Sequence, residues 1–121
     1  MPALTPPEFG EADFRTATAS QPNGDCVQVA RRAGWVALRD DKTDFGADDD
    51  HRLLLTGDAF DRAQDAWRTG GSTGPVRIAD RGDGHVMRLD DRSSSELSFS
   101  TAEIEAFLDG VIRGEFDSTR Y

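Results

Sequence analysis

Few side chains of this 121-residue chain could do covalent or metal chemistry. There is one cysteine, Cys26, and there are two histidines, His51 and His85. Cys26 could act as a thiol nucleophile, but no basic residue adjoins it in sequence to favour the reactive thiolate. It begins a segment in which Val27 and Val29 alternate with polar residues, so we interpret it as a packing position.

The two histidines could ligate a metal ion together with nearby aspartates. Between Asp40 and His51 the chain carries six aspartates in twelve residues. No HxxxH, CxxC or EF-hand spacing is present, since no aspartate of this acidic run is followed at the required positions by both the glycine and the closing glutamate of an EF-hand loop. The pattern predicts a solvated loop and neither a metal site nor a cofactor. With no nucleophile and base paired in the sequence, we expect that the protein is not an enzyme.

The charge of the chain restricts its partners. Acidic residues outnumber basic ones by 23 to 14, which gives a net charge of -9. This charge repels phosphate backbones, so we expect no direct binding of nucleic acid, and a basic protein partner is favoured.

The sequence also predicts the cellular compartment of the protein. No stretch approaches the roughly 20 apolar residues of a membrane span, and the first fourteen residues lack a basic start and an apolar run. A single cysteine agrees with a reducing compartment. We therefore expect a cytoplasmic protein with no membrane association. Thirteen of the fourteen basic residues are arginine, which is typical of a high-GC, actinobacterial genome.

Hydrophobic patterning predicts the elements of the first half. Residues 1–13 are expected to be an extended lead-in. Strands are predicted at 26–31 and 35–39, joined by a return at 33–34, with a short buried strand at 53–55 after the acidic loop. Thr56 is predicted to cap a helix that ends at Gly70 and whose apolar stripe is thinned by Gln64.

The second half repeats this order. Val76 and Ile78 alternate as a strand, 85–89 forms a second strand and Leu97 and Phe99 mark a third. Residues 100–103 form a capping-box pattern, and the helix that follows has Ile104, Phe107, Leu108 and Val111 on its inner face, with Gly114 after its last turn.

The two halves therefore match in order. Val27 and Val29 overlay Val76 and Ile78 at an offset of about 49 residues, and the offset falls to about 44 after the longer acidic loop of the first half. We predict an α+β fold of two repeated β-β-β-α units packed with pseudo-twofold symmetry, with antiparallel sheets and one helix per unit. The units span 14–70 and 71–121 and form one compact domain.

Three segments carry a family resemblance. The C-terminal run 97–117, with Ala-Phe-Leu, Gly-Val and Gly-Glu-Phe-Asp, resembles the ending of the small actinobacterial proteins called domain of unknown function 397. Upstream, 25–30 and 36–42 resemble the Cys-Val-Glu-Val-Ala and Val-Ala-Val-Arg-Asp-Ser-Lys strands of that family. One family unit has about half this length, so the resemblance implies two tandem, degenerate copies.

The resemblance implies a function without catalysis. Members of that family are encoded beside helix-turn-helix regulators, so a protein of this kind is expected to bind and modulate such a transcriptional regulator. The alternative is an antitoxin or immunity-type protein that neutralises a partner effector. A homodimer is also left open. The family has no established catalytic residues to carry over.

A protein partner would be contacted by acidic residues and aromatic anchors. We predict steering by the acidic loop and anchoring by exposed aromatic side chains. The predicted contact residues are Trp35, Asp40, Asp41, Phe45, Asp48, Asp49, Asp50, Trp67, Phe116 and Tyr121.

Overall fold

The protein has an α+β fold of two antiparallel sheets, each followed by one helix, as the sequence predicts. A computed structural model describes residues 7–17, 27–40, 44–48, 50–70, 75–82, 84–89 and 96–117. Cys26 lies outside the described residues. No helix in these ranges is long and apolar enough to cross a membrane.

The first unit is a four-stranded sheet and a helix. The strands follow the chain in order as β1 (Phe14–Thr16), β2 (Val27–Arg32), β3 (Trp35–Asp40) and β4 (Arg52–Thr56). Helix α1 (Gly57–Arg68) begins directly after β4, and the Thr56 side chain accepts a hydrogen bond of 3.1 Å from the Ala59 N–H, which confirms the predicted cap.

The N-terminal segment is more structured than an extended lead-in. A short 3-10 helix (Glu11–Asp13) precedes β1, and the Phe9 ring is buried. Strand β1 pairs with β2, with Phe14 opposite Ala30. A three-residue strand is too short to show an alternating pattern, so its sequence alone does not distinguish it from a loop. Its structure comes from pairing with β2.

The second unit has three strands and a helix. They are β5 (Val76–Arg81), β6 (Gly84–Leu89), β7 (Glu96–Ser100) and α2 (Thr101–Ile112). The predicted capping box is confirmed: Ser100 Oγ accepts from Glu103 N–H at 3.2 Å, and Glu103 Oε1 accepts from Ser100 N–H at 2.9 Å. Gly114 follows the helix with a φ of +74°, a left-handed value that favours glycine.

The strand register shows which positions of the two units correspond. Leu38 lies opposite Val29, and Met87 lies opposite Ile78, so β3 and β6 correspond at an offset of 49 residues. Asp40 pairs with Val27, and the equivalent partner of Val76 is Leu89. Asp40 therefore corresponds in structure to Leu89.

The hydrophobic core joins the inner faces of both sheets with both helices. Trp67 of α1 packs edge-on against Phe107 of α2 with ring centroids 5.4 Å apart, and Phe107 in turn contacts Phe116 at 5.3 Å. At Gly110 a β-carbon would come within 2.8 Å of the Ala17 side chain. The two units thus share one core instead of folding around separate ones.

One buried polar side chain on α1 interrupts this core. Gln64 is completely buried, and neither its amide nitrogen nor its amide oxygen has a hydrogen-bond partner within the described part of the chain. Such an unpaired amide costs about 1–3 kcal/mol. The residue that thins the apolar stripe in the sequence therefore places unpaired polar atoms in the core.

Replacing Gln64 by methionine, which has a similar shape, is expected to raise the free energy of unfolding by about 1–2 kcal/mol, because the unpaired amide is removed. Urea unfolding followed by circular dichroism measures the change. The control is Gln28→Met, since the Gln28 side chain accepts a hydrogen bond from Arg39 and its loss should destabilise the protein. A destabilised Gln64→Met variant would show that this amide has a partner.

Candidate partner-binding surface

The outer face of the first sheet collects the most promising contact residues. Strand register places Phe14, Ala30, Ala37 and Leu54 in one row across the four strands. The first three are buried, and together with Phe9 they form a small apolar cluster separate from the main core. Leu54, on the edge strand β4, is 41% exposed, so the row ends in an apolar side chain open to solvent.

Two of the predicted anchors meet on this face. Trp35 and Phe45 are half-buried and pack against the cluster, and the Phe45 ring lies edge-on to Phe14 at 5.9 Å. Asp44 and Asp48, on the same loop as Phe45, are exposed. The structure thus combines half-exposed rings with outward carboxylates, a composition suited to a basic protein partner.

A buried ion cluster holds this loop in place. Asp50 Oδ1 lies 2.9 Å from Arg39 Nε, and Asp50 Oδ2 accepts from Arg52 at 3.1 Å and from the Gly46 N–H at 2.8 Å. The two guanidinium groups also stack over the Phe45 ring, at 5.2 Å for Arg39 and 4.7 Å for Arg52. The loop is therefore fixed at its C-terminal end by contacts to both β3 and β4.

The position of Asp50 corrects the prediction of a solvated loop. Its side chain is 1% exposed, so it is not available as a steering charge. Burial alone would raise the pKa of Asp50, but the hydrogen bonds from Gly46, Arg39 and Arg52 and the charge of Arg39 outweigh it and hold the pKa below its ordinary value of 3.8. This aspartate is structural because it neutralises a buried arginine.

The remaining predicted contact residues are dispersed. Phe116 is completely buried, which corrects the prediction that it is exposed, and Trp67 is half-buried between the helices. Asp40 is half-buried at the end of β3. Asp41, Asp49 and Tyr121 lie outside the described residues.

Sequence reasoning missed two residues that define this surface. The run 53–55 predicts a buried strand, yet Leu54 points outward because neighbouring residues of a strand face opposite sides. Arg39 has only 3% of its surface exposed, although arginine is rarely buried. The two-residue period of a strand was an available signal for Leu54 once 53–55 is predicted as a strand, whereas nothing in the sequence indicates the burial of Arg39.

The histidines do not form a site with the described residues of the acidic loop. His51 is exposed, and His85 lies in the other sheet, where its Nε2 is 3.3 Å from Thr101 Oγ1. That contact joins a base to a hydroxyl, but it is solvent-exposed. Among the described residues, no group of three or more His, Cys, Asp or Glu side chains is placed to hold a metal ion.

Comparison with protein-family models, curated proteins and solved structures gave no match, so the outer face described above is interpreted from its own geometry.

Proposed function

We propose that this protein is a non-enzymatic regulatory protein that binds and modulates a helix-turn-helix transcriptional regulator through the outer face of its first sheet. The observation that carries the proposal is the exposed Leu54 in one row with Ala37 on the face that also holds Trp35 and Phe45, with the exposed Asp44 and Asp48 on the loop of Phe45. The class of partner is supported by the sequence resemblance.

The chemistry of this face agrees with such a partner. DNA-binding proteins carry a basic surface, and the negative charge of an acidic protein attracts such a surface at long range. Aromatic and aliphatic side chains at the centre then supply the short-range contact, while the charged rim sets the association rate. The buried contacts of Asp50 make this surface rigid before binding, which lowers the entropic cost of association.

The test is affinity capture from the native host at low and high salt, with identification of the captured protein by mass spectrometry. We expect a helix-turn-helix regulator that is released at high salt. Leu54→Arg should reduce its recovery at least about tenfold, because a charge would replace the exposed apolar side chain of the surface.

Ile112→Arg is the matched control, since Ile112 is also apolar and is 67% exposed, but it lies on α2. If Ile112→Arg reduced the recovery and Leu54→Arg did not, the binding surface would lie on α2 instead of the first sheet. Capture of a toxic effector instead of a DNA-binding protein would replace the proposed function with neutralisation of that effector.

A further inference from the structure

The N-terminal segment packs on the outer face of the first sheet as a separate layer. Phe9 and Phe14, whose ring centroids are 6.1 Å apart, pack with Ala30 and Ala37. These four side chains are buried, yet they form an apolar cluster of their own and do not belong to the core that joins the two units. This layer can therefore separate from the sheet while the main core stays packed.

The attachment of this segment to the sheet is short. Among the described residues, β1 pairs with β2 at three positions, Phe14–Thr16. The Asp13 carboxylate lies 3.4 Å from the Arg32 guanidinium, but the Arg32 side chain is 58% exposed, and an ion pair at such a surface contributes little stability. Directly after β1, Ala17 is completely buried in the main core. The segment is thus fixed at Ala17 and held more weakly before it.

The surface under this segment is apolar and continues into the exposed part of the candidate partner-binding surface. Ala30 and Ala37 are completely buried, and Ala37 lies directly opposite Leu54, which is 41% exposed. Release of the segment would therefore extend the exposed apolar row from Leu54 across β3 to β2.

The arginine under the Phe14 ring keeps its counter-charge when that ring leaves. The Arg39 guanidinium lies 5.7 Å from the centroid of the Phe14 ring, but its charge is balanced by Asp50 at 2.9 Å. Asp50 is held in turn by Arg52 and by the Gly46 N–H. Opening the segment therefore leaves no buried charge unpaired, which would be a large cost.

We propose that residues 7–16, the N-terminal cover, open by turning about Ala17, and that the row uncovered in this way is where the partner docks. The closed cover shields Ala30 and Ala37, and the open cover lets an apolar side chain of the partner take the place of Phe14. The opening of the cover stands on its own, whereas the docking step rests on the proposed function.

Hydrogen exchange of the intact protein without a partner, followed by NMR, tests the opening. The backbone amides of residues 14–16 should exchange at least about a hundredfold faster than the amides that join β2 to β3, because the cover opens locally. Low concentrations of urea should speed the exchange of β3 and leave that of residues 14–16 unchanged, since a local opening exposes little surface.

Two conservative variants separate the cover from the core. Phe9→Leu should speed the exchange of residues 14–16 and of β3 by the same factor, about tenfold, because Phe9 is released in both openings. Ile104→Val is the matched control in the main core, where Ile104 is 3% exposed. It should speed the exchange of β3 alone, because Ile104 stays packed when the cover opens.

Two results in the partner-free protein would overturn the proposal. One is that residues 14–16 exchange as slowly as β3. The other is that Ile104→Val speeds both equally, because the cover would then open only when the whole core unfolds.

The docking step is tested with the helix-turn-helix regulator recovered by affinity capture. Phe9→Leu should lower its Kd about tenfold, because it raises the population of the open form, and Ile104→Val should leave the Kd unchanged. Residues 14–16 should also lose protection in the complex. A weaker affinity of Phe9→Leu, or a gain of protection at residues 14–16, would make the cover part of the contact surface and overturn the docking step. If capture recovers no regulator, the proposed function fails, and exchange in the partner-free protein still decides whether the cover opens.

Discussion

Replacing Asp50 by alanine is expected to lower the free energy of unfolding at neutral pH by about 3–5 kcal/mol, because it leaves the buried Arg39 without its counter-charge. The Arg39 side chain has 4% of its surface exposed and cannot turn to solvent without leaving the Phe14 and Phe45 rings. The variant should also loosen the loop, because the Gly46 and Arg52 contacts to Asp50 are lost together. Urea unfolding measures the change.

The loss of stability caused by Asp50→Ala should depend on pH in a defined direction. Because the pKa of Asp50 is lowered in the folded state, its stabilisation is fully present above the ordinary value of 3.8 and is lost as the pH falls through the lower folded-state pKa. The difference in the free energy of unfolding between the wild type and the variant should therefore narrow as the pH falls from about 5 to about 2.

Asp48→Ala provides the control on the same loop. Asp48 is exposed, so its replacement should change the stability by no more than about 0.5 kcal/mol. Equal effects of the two alanine variants, or a difference that does not vary with pH, would contradict the assigned role of the ion cluster.

Replacing Phe116 by alanine is expected to lower the free energy of unfolding by about 3–5 kcal/mol, since a fully buried ring leaves a cavity against Phe107. The backbone oxygen of Phe116 accepts from Arg31 at 2.9 Å, and Asp117 accepts from Arg68 at 2.8 Å. The segment after α2 thus ties both units together, and we expect the variant to expose α1 and α2 jointly. Thermal unfolding and hydrogen exchange of the two helices measure this.

Ile112→Ala removes an apolar side chain of the neighbouring turn that is 67% exposed, and it should change the stability by no more than about 0.5 kcal/mol. If hydrogen exchange increased in α2 of Phe116→Ala while α1 stayed protected, the two units would unfold separately. That result would contradict the shared core described above.

Local patterns in the sequence were sufficient for the regular elements other than β1 and the short 3-10 helix before it. Alternation predicts β2, β5 and β7, and the spacing of Ile104, Phe107 and Val111 predicts α2. The caps at Thr56 and Ser100 mark the helix starts because they depend on hydrogen bonds between residues three apart. The repeat is also visible, since it is a comparison of the chain with itself.

The candidate surface depends on contacts that the sequence does not encode locally. Phe14 and Arg39 are far apart in sequence, and only strand pairing brings them together. Asp50 looks like any other aspartate of the acidic run, yet it is buried because the fold places it between two arginines.

The sequence by itself therefore determined the α+β class, the two units and most element boundaries, because these follow from propensity, periodicity and capping within a few residues. The tertiary structure alone decided that Phe116 is core, that Leu54 faces solvent, and that Arg39 is buried. Burial is a property of what packs on a side chain, and the residues that pack here come from distant parts of the chain.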